Sequence, residues 1–309
     1  MSTLISDRPT SAATSPAPTV AQPRTGSSSA RADRRRATVS LIFGGYLPLI
    51  LATLIIALPL LWMVLGSFKT GSEVISRDLV WLPGSPSFDA YRVASDKVDF
   101  PRLFWNSLVV TTIGGGIKVI LAITTAYALV FVKFPFKRAI FMGVLVALMV
   151  PSQVSLLPNY VLVAGLGGAN TYWGIILPGL GTAFGTFLLR QHFLSLPAEI
   201  LEAAELDGAG HLRRLASIVV PISTPTIATV ALVTLVNEWN DYIWPLIITS
   251  DDSMMTLPVG LTLLKNLEGD PSSYPILMAG AVVVILPVLI VFMFLQRYIV
   301  AGLTQGAVK

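Results

Sequence analysis

Six apolar segments, each about as long as a lipid bilayer is thick, dominate the sequence and constrain its fold. A helix needs about 20 apolar residues to cross the hydrocarbon core. Stretches of that length lie at roughly 41–66, 105–132, 139–163, 171–190, 221–248 and 276–296. Charged residues make up only 12% of the 309 positions, about half the share in an ordinary soluble domain. The sequence therefore predicts an all-α membrane protein with six transmembrane helices.

The N-terminal 38 residues differ from the rest of the chain. They are mostly Ser, Thr, Ala, Pro and Arg, and such a composition cannot offset the entropy lost on ordering. We expect a disordered cytoplasmic tail over 1–38 and one transmembrane domain over 39–309. No short apolar stretch with a small-residue cleavage site opens the sequence, so the first apolar segment is expected to remain as an anchor.

The distribution of Lys and Arg predicts the orientation in the membrane. Six spans place both termini on one side, and that side holds most of the basic residues, including the run Arg34–Arg36 and the pair Arg213 and Arg214. Positive charge accumulates in cytoplasmic loops. We therefore expect a multi-pass protein of the bacterial cytoplasmic membrane, with both termini in the cytoplasm.

Prolines interrupt several of the predicted spans. Breaks in a membrane helix persist where neighbouring helices, polar side chains or water satisfy the released backbone groups, which favours a bundle around a pathway. Prolines are also common in ordinary membrane helices, so each one alone has a simpler explanation. The prolines concerned are Pro48, Pro59, Pro151, Pro158, Pro178, Pro225, Pro245 and Pro287.

The loop at 194–221 between spans four and five predicts two short helices. Ser195 is suited to cap the first helix, with Pro197 in its first turn and acidic Glu199 near its positive N-terminal end. Gly208 and Gly210 supply the conformational freedom to end it, and Asp207 can accept backbone hydrogen bonds in the turn. An amphipathic helix resting on lipid headgroups is the alternative, but clustered acidic residues disfavour contact with an anionic leaflet.

The second helix of this loop is expected to have two different sides. His211, Arg213 and Arg214 fall on one side, and the apolar residues fall on the other. The apolar residues are Leu212, Leu215 and Ile218. A helix pair of this kind on the cytoplasmic surface is suited to bind a partner protein.

Three motifs carry a resemblance to a known family. The first motif resembles the EAA loop of ABC importer permeases and consists of Glu202, Ala203, Ala204, Asp207, Gly208 and Ala209. The second motif is NEWNDYIWPL at 237–246, and the third is RYIVAGLTQGAVK at 297–309. The chain from about 41 to 309 is similar to carbohydrate-type permeases of the maltose-transporter family, MalG-like subunit. Within it, the segments 150–167, 185–210 and 257–269 most resemble permeases for glycerol-3-phosphate and glycerophosphodiesters.

The resemblance implies a type I ABC importer permease whose coupling loop docks on an ATPase. The implied partners are a second permease subunit, two ATPase subunits, an extracytoplasmic solute-binding protein and membrane lipid, with no nucleic acid. ATP and Mg²⁺ would be bound by the ATPase and not by this chain, which would be non-catalytic. The implied ATPase-coupling residues are Glu202, Ala203, Ala204, Asp207, Gly208 and Ala209.

Polar residues inside span five are candidates for the substrate pathway. Ionisable side chains at a helix centre cost about 2.5–3.5 kcal/mol, so Glu238 and Asp241 need a partner or a function. Carboxylates and carboxamides beside aromatic rings suit polyol hydroxyls, and a helix–helix hydrogen-bonding cluster is the equal alternative. The candidates here are Asn237, Glu238, Trp239, Asn240 and Asp241, of which 237, 238 and 241 are expected to share a helix face.

Lys118 in span two and the polar residues of span three complete the candidate pathway. The expected depth of Lys118 brings it within reach of Glu238, so we favour an ion pair over direct contact with an anionic cargo. Gln153 and Asn159 flank two prolines and either line the pathway or satisfy local backbone. Glu238 and Asp241 would repel a bare phosphate, but suit the quaternary ammonium of glycerophosphocholine, especially beside Trp239.

Several classes of function are excluded or disfavoured. The chain has no cysteine, which rules out disulfides and thiolate metal sites. It has no phosphate-binding loop ending in Lys-Ser or Lys-Thr. Its two histidines, His192 and His211, lack metal-ligand spacing and are expected at the surface. An ion-coupled secondary transporter is the main alternative function. A membrane scaffold without cargo is disfavoured by the intramembrane carboxylates. For an ABC importer, an oligosaccharide is the alternative cargo.

Overall fold

The computed structural model describes residues 42–78, 80–265 and 273–304. The expected disordered tail and the end of the third motif lie outside these residues, as does part of the loop at 249–275. The chain divides into a smaller unit, Met1–Pro59, and a larger one, Leu60–Lys309. All candidate site residues belong to the larger unit.

Every regular element in the described residues is helical, which confirms the all-α fold class. A π-helical turn, Ile42–Tyr46, leads into the first α-helix. The helices are α1 Leu47–Gly66, α2 Gly71–Ile75, α3 Asp89–Lys97, α4 Phe100–Phe131, α5 Lys137–Met149, α6 Leu156–Gly165, α7 Tyr172–Ile176, α8 Ala183–Leu194, α9 Ala198–Leu206, α10 His211–Ile222, α11 Thr224–Trp239, α12 Ile243–Ile248, α13 Leu257–Lys265 and α14 Ser273–Thr304.

Within the described residues, three helices are long and apolar enough to cross a membrane unaided: α1, α4 and α14. Three bent helical pairs raise the number to six if each pair is one span. They are Lys137–Met149 with Ser152–Gly165, bent by 93°; Tyr172–Leu180 with Ala183–Leu194, bent by 45°; and His211–Ile222 with Thr224–Ile248, bent by 85°. Pro151 and Gly181 lie at the first two bends, whereas Pro59 and Pro287 remain inside continuous helices.

The core of the larger unit forms where α4, α8, α11 and α14 pack side by side. α8 packs along the second half of α4, and α11 packs against both α4 and α14. Gly185 permits the close approach of α8, because a Cβ atom there would lie 3.0 Å from the Cβ of Ala122 and 3.1 Å from Cγ1 of Val230. Both neighbours are fully buried. Small residues at helix contacts are the usual basis of packing in lipid.

The two ends of this bundle differ. At one end, called here the coupling end, α9 and α10 pack on the last turns of α4. At the opposite, distal end, α3 and α13 pack on α14 and on the start of α4. Asn106, 2% exposed, ties the distal end together, because its side chain donates to the carbonyls of Ser253 and Met255, both at 2.9 Å, and accepts from the Tyr172 hydroxyl at 2.7 Å.

Asn170 makes a second tie at the distal end. Its backbone φ of 56° is left-handed, a conformation that Asn tolerates better than most residues. Its side-chain oxygen accepts the N–H groups of Ser250 and Asp251 at 2.7 and 2.9 Å. The loop before α7 is thereby joined to the loop after α12.

Candidate functional site

A cavity of about 560 Å³ lies among four of the spans. Its walls come from α4, the bend between α5 and α6, the segment after α7, and the break between α11 and α12. This distal cavity, as we name it, is lined by most of the predicted pathway residues: Lys118, Gln153, Asn159, Glu238, Asn240 and Asp241. The structure therefore brings together residues that are more than 120 positions apart in the sequence.

Lys118 and Glu238 form an ion pair, as the sequence predicts. The lysine Nζ donates to Oε2 of the carboxylate, and the two side chains are only 18% and 8% exposed. A charge at this depth is costly without a partner. The pairing therefore lowers the free-energy cost of burying both charges and joins α4 to α11.

Two glycines make room for this ion pair. A Cβ atom on Gly179 would lie 3.0 Å from Nζ of Lys118, and one on Gly114 would lie 3.0 Å from Oε1 of Glu238. Gly114 ends a π-helical turn, Val110–Gly114, inside α4. Such turns are frequent at functional sites. The sequence does not indicate this role for either glycine, because the need for small residues arises only from tertiary packing.

Asp241 lies beyond the end of α11, not on it. The helix ends at Trp239 and Asn240 caps it, so the prediction that 237, 238 and 241 share a face of one continuous helix is wrong. Asn240 donates from Nδ2 to the Val236 carbonyl at 2.9 Å, whereas Asp241 forms no ion pair within the described residues. Its carboxylate is exposed to the distal cavity.

Trp239 and Asn237 do not line the distal cavity. Trp239 is 6% exposed, packs edge-on against Phe104 with centroids 5.7 Å apart and donates from Nε1 to the Val284 carbonyl at 3.2 Å. It packs between helices, and the structure does not support the prediction that it contacts cargo. Asn237 lines a separate cavity of about 300 Å³, which also includes Lys118 and Glu238.

Gln153 lies within a short 3₁₀ turn, Ser152–Ser155, that follows the 93° bend, and Asn159 lies in the first half of α6. Within the described part of the chain, neither side-chain amide makes a hydrogen bond, although both line the distal cavity. Of the two interpretations left open by the sequence, this placement favours lining over satisfaction of local backbone.

The coupling loop contains the predicted helix pair with a sharp turn between the helices. α9 ends in a Schellman motif: the N–H of Ala209 donates to Ala204 O at 2.9 Å, and the N–H of Gly208 donates to Glu205 O at 3.0 Å. Gly208 has a φ of +75°, the left-handed conformation that glycine adopts without strain. Asp207 occupies the C-cap position. Glu202 and Ala203 are exposed, and Ala204 is buried.

The start of α9 differs from the prediction. Pro197 is the N-cap, and Ser195 instead ends α8, where its hydroxyl donates to His192 O at 2.7 Å. A serine can satisfy either helix end. The spacing of Ser195 from Pro197 favours a cap at the start of α9, but the hydroxyl finds a nearer acceptor at the end of α8.

Two polar contacts and a set of apolar side chains fasten α9 and α10 to each other and to α4. Arg214 Nη1 donates to Glu205 Oε2 at 2.8 Å, and Nδ1 of His211 lies 3.2 Å from the hydroxyl of Tyr127 in α4. Leu201, Leu215 and Ile218 pack into a cluster with residues of α4 and α8. The helix pair is therefore a rigid part of the bundle.

Two predictions about side-chain exposure near this loop fail. Leu212 is 83% exposed and does not share the buried side of α10. Leu206, at the end of α9, is 90% exposed, so both leucines present apolar side chains outward. His192 is half-buried, with Nε2 shielded, because α8 continues beyond the predicted end of its span. No group of potential metal ligands occurs among the described residues.

Comparison with protein families adds a match to most of the membrane domain. A model described as "Binding-protein-dependent transport system inner membrane component" matches residues 118–305. The sn-glycerol-3-phosphate transport system permease protein UgpE of Brucella suis is 34% identical over 268 residues, covering 84% of this chain and 95% of the relative. The arabinooligosaccharides transport system permease protein AraQ of Halalkalibacterium halodurans is 33% identical, covering 81% of this chain and 90% of the relative.

Two solved structures share the fold. One is a crystal structure of a bacterial ABC transporter involved in the import of the acidic polysaccharide alginate; its TM-score is 0.73 at 25% identity, covering 87% of this chain and 98% of the solved chain. The other, a bacterial alginate ABC transporter in complex with an alginate pentasaccharide-bound periplasmic protein, has a TM-score of 0.60 at 15% identity, covering 86% and 95%.

Proposed function

Because this chain belongs to the family of binding-protein-dependent transport system inner membrane components, it is a permease subunit of an ABC importer, and we propose that its cargo is glycerol-3-phosphate or a glycerophosphodiester. The chain forms half of the translocation pathway. Family membership also sets aside the ion-coupled secondary transporter considered from the sequence.

The polar lining of the distal cavity carries this proposal. Gln153 and Asn159 offer amide donors and acceptors, and Asp241 offers a carboxylate, in a volume of about 560 Å³. Small-ligand sites usually measure about 300–1,000 Å³. Carboxamides and carboxylates are suited to hydroxyl groups, which supports a polyol-like cargo.

The charge of the cavity bears on which cargo is preferred. Glu238 neutralises Lys118, which leaves Asp241 as the uncompensated charge of this wall among the described residues. A bare phosphate would be repelled by Asp241, whereas the quaternary ammonium of glycerophosphocholine would be attracted. Trp239 adds nothing to this argument, because it faces away from the cavity.

An oligosaccharide is the second candidate cargo. AraQ is named for arabinooligosaccharides, and the solved alginate importer carries a polysaccharide. The same hydroxyl-binding side chains would serve either class. A direct comparison of cargoes therefore decides between them.

Family membership and the helix pair of the coupling loop support a set of partner subunits. We infer a second permease, two ATPase subunits that bind ATP and Mg²⁺, and an extracytoplasmic solute-binding protein. The exposed Leu206 and Leu212 beside the acidic residues of α9 offer apolar contact area to a cleft in the ATPase.

Uptake into proteoliposomes tests the proposed cargo. The assembled importer, with its binding protein and with ATP on the nucleotide side, would be offered glycerol-3-phosphate, glycerophosphocholine and an arabino-oligosaccharide separately. We expect ATP-dependent accumulation of a glycerol phosphate compound. Accumulation of the oligosaccharide alone would replace the first candidate with the second.

Loss of Asp241 should weaken transport without disturbing assembly. We expect Asp241→Ala to reduce ATP-dependent uptake severalfold, because the variant loses the uncompensated carboxylate of the distal cavity. Asp252→Ala, which removes an exposed carboxylate of the loop after α12, is the matched control and should transport at the parent rate. If purified complexes with Asp241→Ala also transport at that rate, Asp241 has no role in the pathway.

The proposed orientation places the coupling end in the cytoplasm. The loop at 67–104 then faces outward, and the loop after α4 faces inward. A cysteine at exposed Ser85 should react with an impermeant thiol reagent in intact cells, whereas a cysteine at exposed Lys133 should react only after lysis. Reversed labelling would require the opposite orientation.

A further inference from the structure

Three cavities follow one another through the larger unit. The distal cavity measures about 560 Å³, the middle cavity around Asn237 about 300 Å³, and a third, coupling-side cavity about 550 Å³. The distal and middle cavities share Lys118 and Glu238. The middle and coupling-side cavities share Gly181 and Thr182.

The order of the cavities is the same along each spanning element. Span three runs toward the distal end, and it lines the coupling-side cavity with Ile140, the middle cavity with Leu148 and the distal cavity with Gln153. Span four runs the opposite way and lines the distal cavity with Pro178 but the coupling-side cavity with Thr186. Since antiparallel spans agree, the cavities form one path between the two ends.

The Lys118–Glu238 pair lies where the distal and middle cavities meet. It lines both, yet its side chains are only 18% and 8% exposed. Gly114 and Gly179 lie against the pair, where a Cβ atom would come within 3.0 Å of a charged group and require it to shift. On this chain's side of the pathway, a solute that moves from one cavity to the next therefore passes this pair.

The middle cavity has polar chemistry of its own. Asn237 is exposed and makes no hydrogen bond within the described residues, in contrast to Asn240, which donates to Val236 O. The Thr182 hydroxyl precedes α8 without capping it, and Thr234 lines the same wall. One carboxamide and two hydroxyls are thus available to a hydroxylated ligand.

We propose that the Lys118–Glu238 pair is the barrier between two successive cargo sites, and that the middle cavity around Asn237, Thr182 and Thr234 is the second of them, taking the hydroxyl groups of a polyol-like cargo. The second site rests on the proposed function, whereas the barrier depends only on the geometry of this chain. Separate experiments therefore test the two parts.

Thiol accessibility tests the barrier, since the chain contains no cysteine and each introduced cysteine is its only thiol. Gln153→Cys marks the distal cavity, and Thr182→Cys marks the middle one. In inside-out vesicles holding the assembled importer, an impermeant thiol reagent would be added and modification of this chain read by mass. We expect Thr182→Cys to react about ten times faster than Gln153→Cys, which corresponds to a difference of about 1.4 kcal/mol in activation free energy.

Removal of the pair should abolish that difference. In a Lys118→Ala/Glu238→Ala background, both cysteines should react at similar rates, while the swapped pair Lys118→Glu/Glu238→Lys should protect Gln153→Cys again. Equal rates in the parent background, or a slow Thr182→Cys, would overturn the barrier. None of these readings depends on which cargo is carried.

The second site is tested by its one carboxamide. With glycerol-3-phosphate and glycerophosphocholine offered separately to proteoliposomes, Asn237→Ala should lower severalfold the ATP-dependent uptake of whichever compound the parent importer accumulates, and Asn237→Gln, which keeps the amide, should recover part of it. Parent-rate uptake by Asn237→Ala would remove the second site and leave the barrier intact. Absence of uptake in the parent importer would instead contradict the proposed cargo.

Discussion

Replacing Gly208 with valine should leave the spans inserted but abolish transport. Gly208 has a φ of +75° at the end of α9, and a left-handed conformation costs an L-residue about 1–2 kcal/mol, with β-branched residues the least tolerant. The Schellman turn would open, and α9 would lose its fixed direction relative to α10. A flexible loop cannot pass on a movement of the ATPase, so hydrolysis and transport should become uncoupled.

Gly210→Val provides a matched control for this change. A Cβ atom at either glycine would meet open space, but Gly210 has a φ of −67° and a ψ of 167°, which valine adopts readily. The measurement is co-purification of the ATPase together with cargo-stimulated ATP hydrolysis. If Gly208→Val keeps full values of both, the coupling loop does not transmit the movement.

Lys118→Met should have the largest effect on assembly. It leaves the Glu238 carboxylate, 8% exposed, without its cation, and removing one partner of a buried pair costs about 3–5 kcal/mol. We expect little intact complex in the membrane fraction and a lowered melting temperature of what remains. Size-exclusion chromatography in detergent and a thermal unfolding assay would measure both quantities.

A second substitution in the same chain should reverse most of that loss. Lys118→Met/Glu238→Gln removes both charges while nearly preserving the volume of the pair, and neutral replacements of buried pairs are often well tolerated. Recovery of assembly by the double variant would show that the unpaired charge is the cause. If the double variant assembles as poorly as Lys118→Met, the lysine stabilises the bundle through other contacts.

The parts of the site that the sequence predicts correctly depend on local residue spacing or on the depth of a residue along its span. The turn at Gly208 follows from the spacing of glycines after an acidic helix, and the Lys118–Glu238 pair follows from the similar depth of two charges in their spans. Neither requires knowledge of which helices are neighbours, because a buried charge needs a partner and a helix end needs a residue that tolerates positive φ.

The incorrect predictions concern directions that only tertiary packing decides. Trp239 turns toward the Val284 carbonyl because α14 packs beside α11, and Asp241 leaves the helix because α11 ends at Trp239. The 93° bend after α5 and the hydrogen bonds of Asn106 are likewise properties of the assembled bundle. A proline in the sequence indicates where a bend is allowed; Pro287, inside a continuous helix, shows that it does not require one.

The contact between Tyr127 and His211 has a consequence for how movement passes along α4. Tyr127 lies nine residues beyond Lys118 in the same α-helical stretch, Gly115–Phe131, about 14 Å at 1.5 Å per residue. An axial shift of the end that touches α10 displaces the lysine by the same distance. Any axial movement of α10 that is passed to Tyr127 therefore reaches the Lys118–Glu238 pair through the backbone of a single helix.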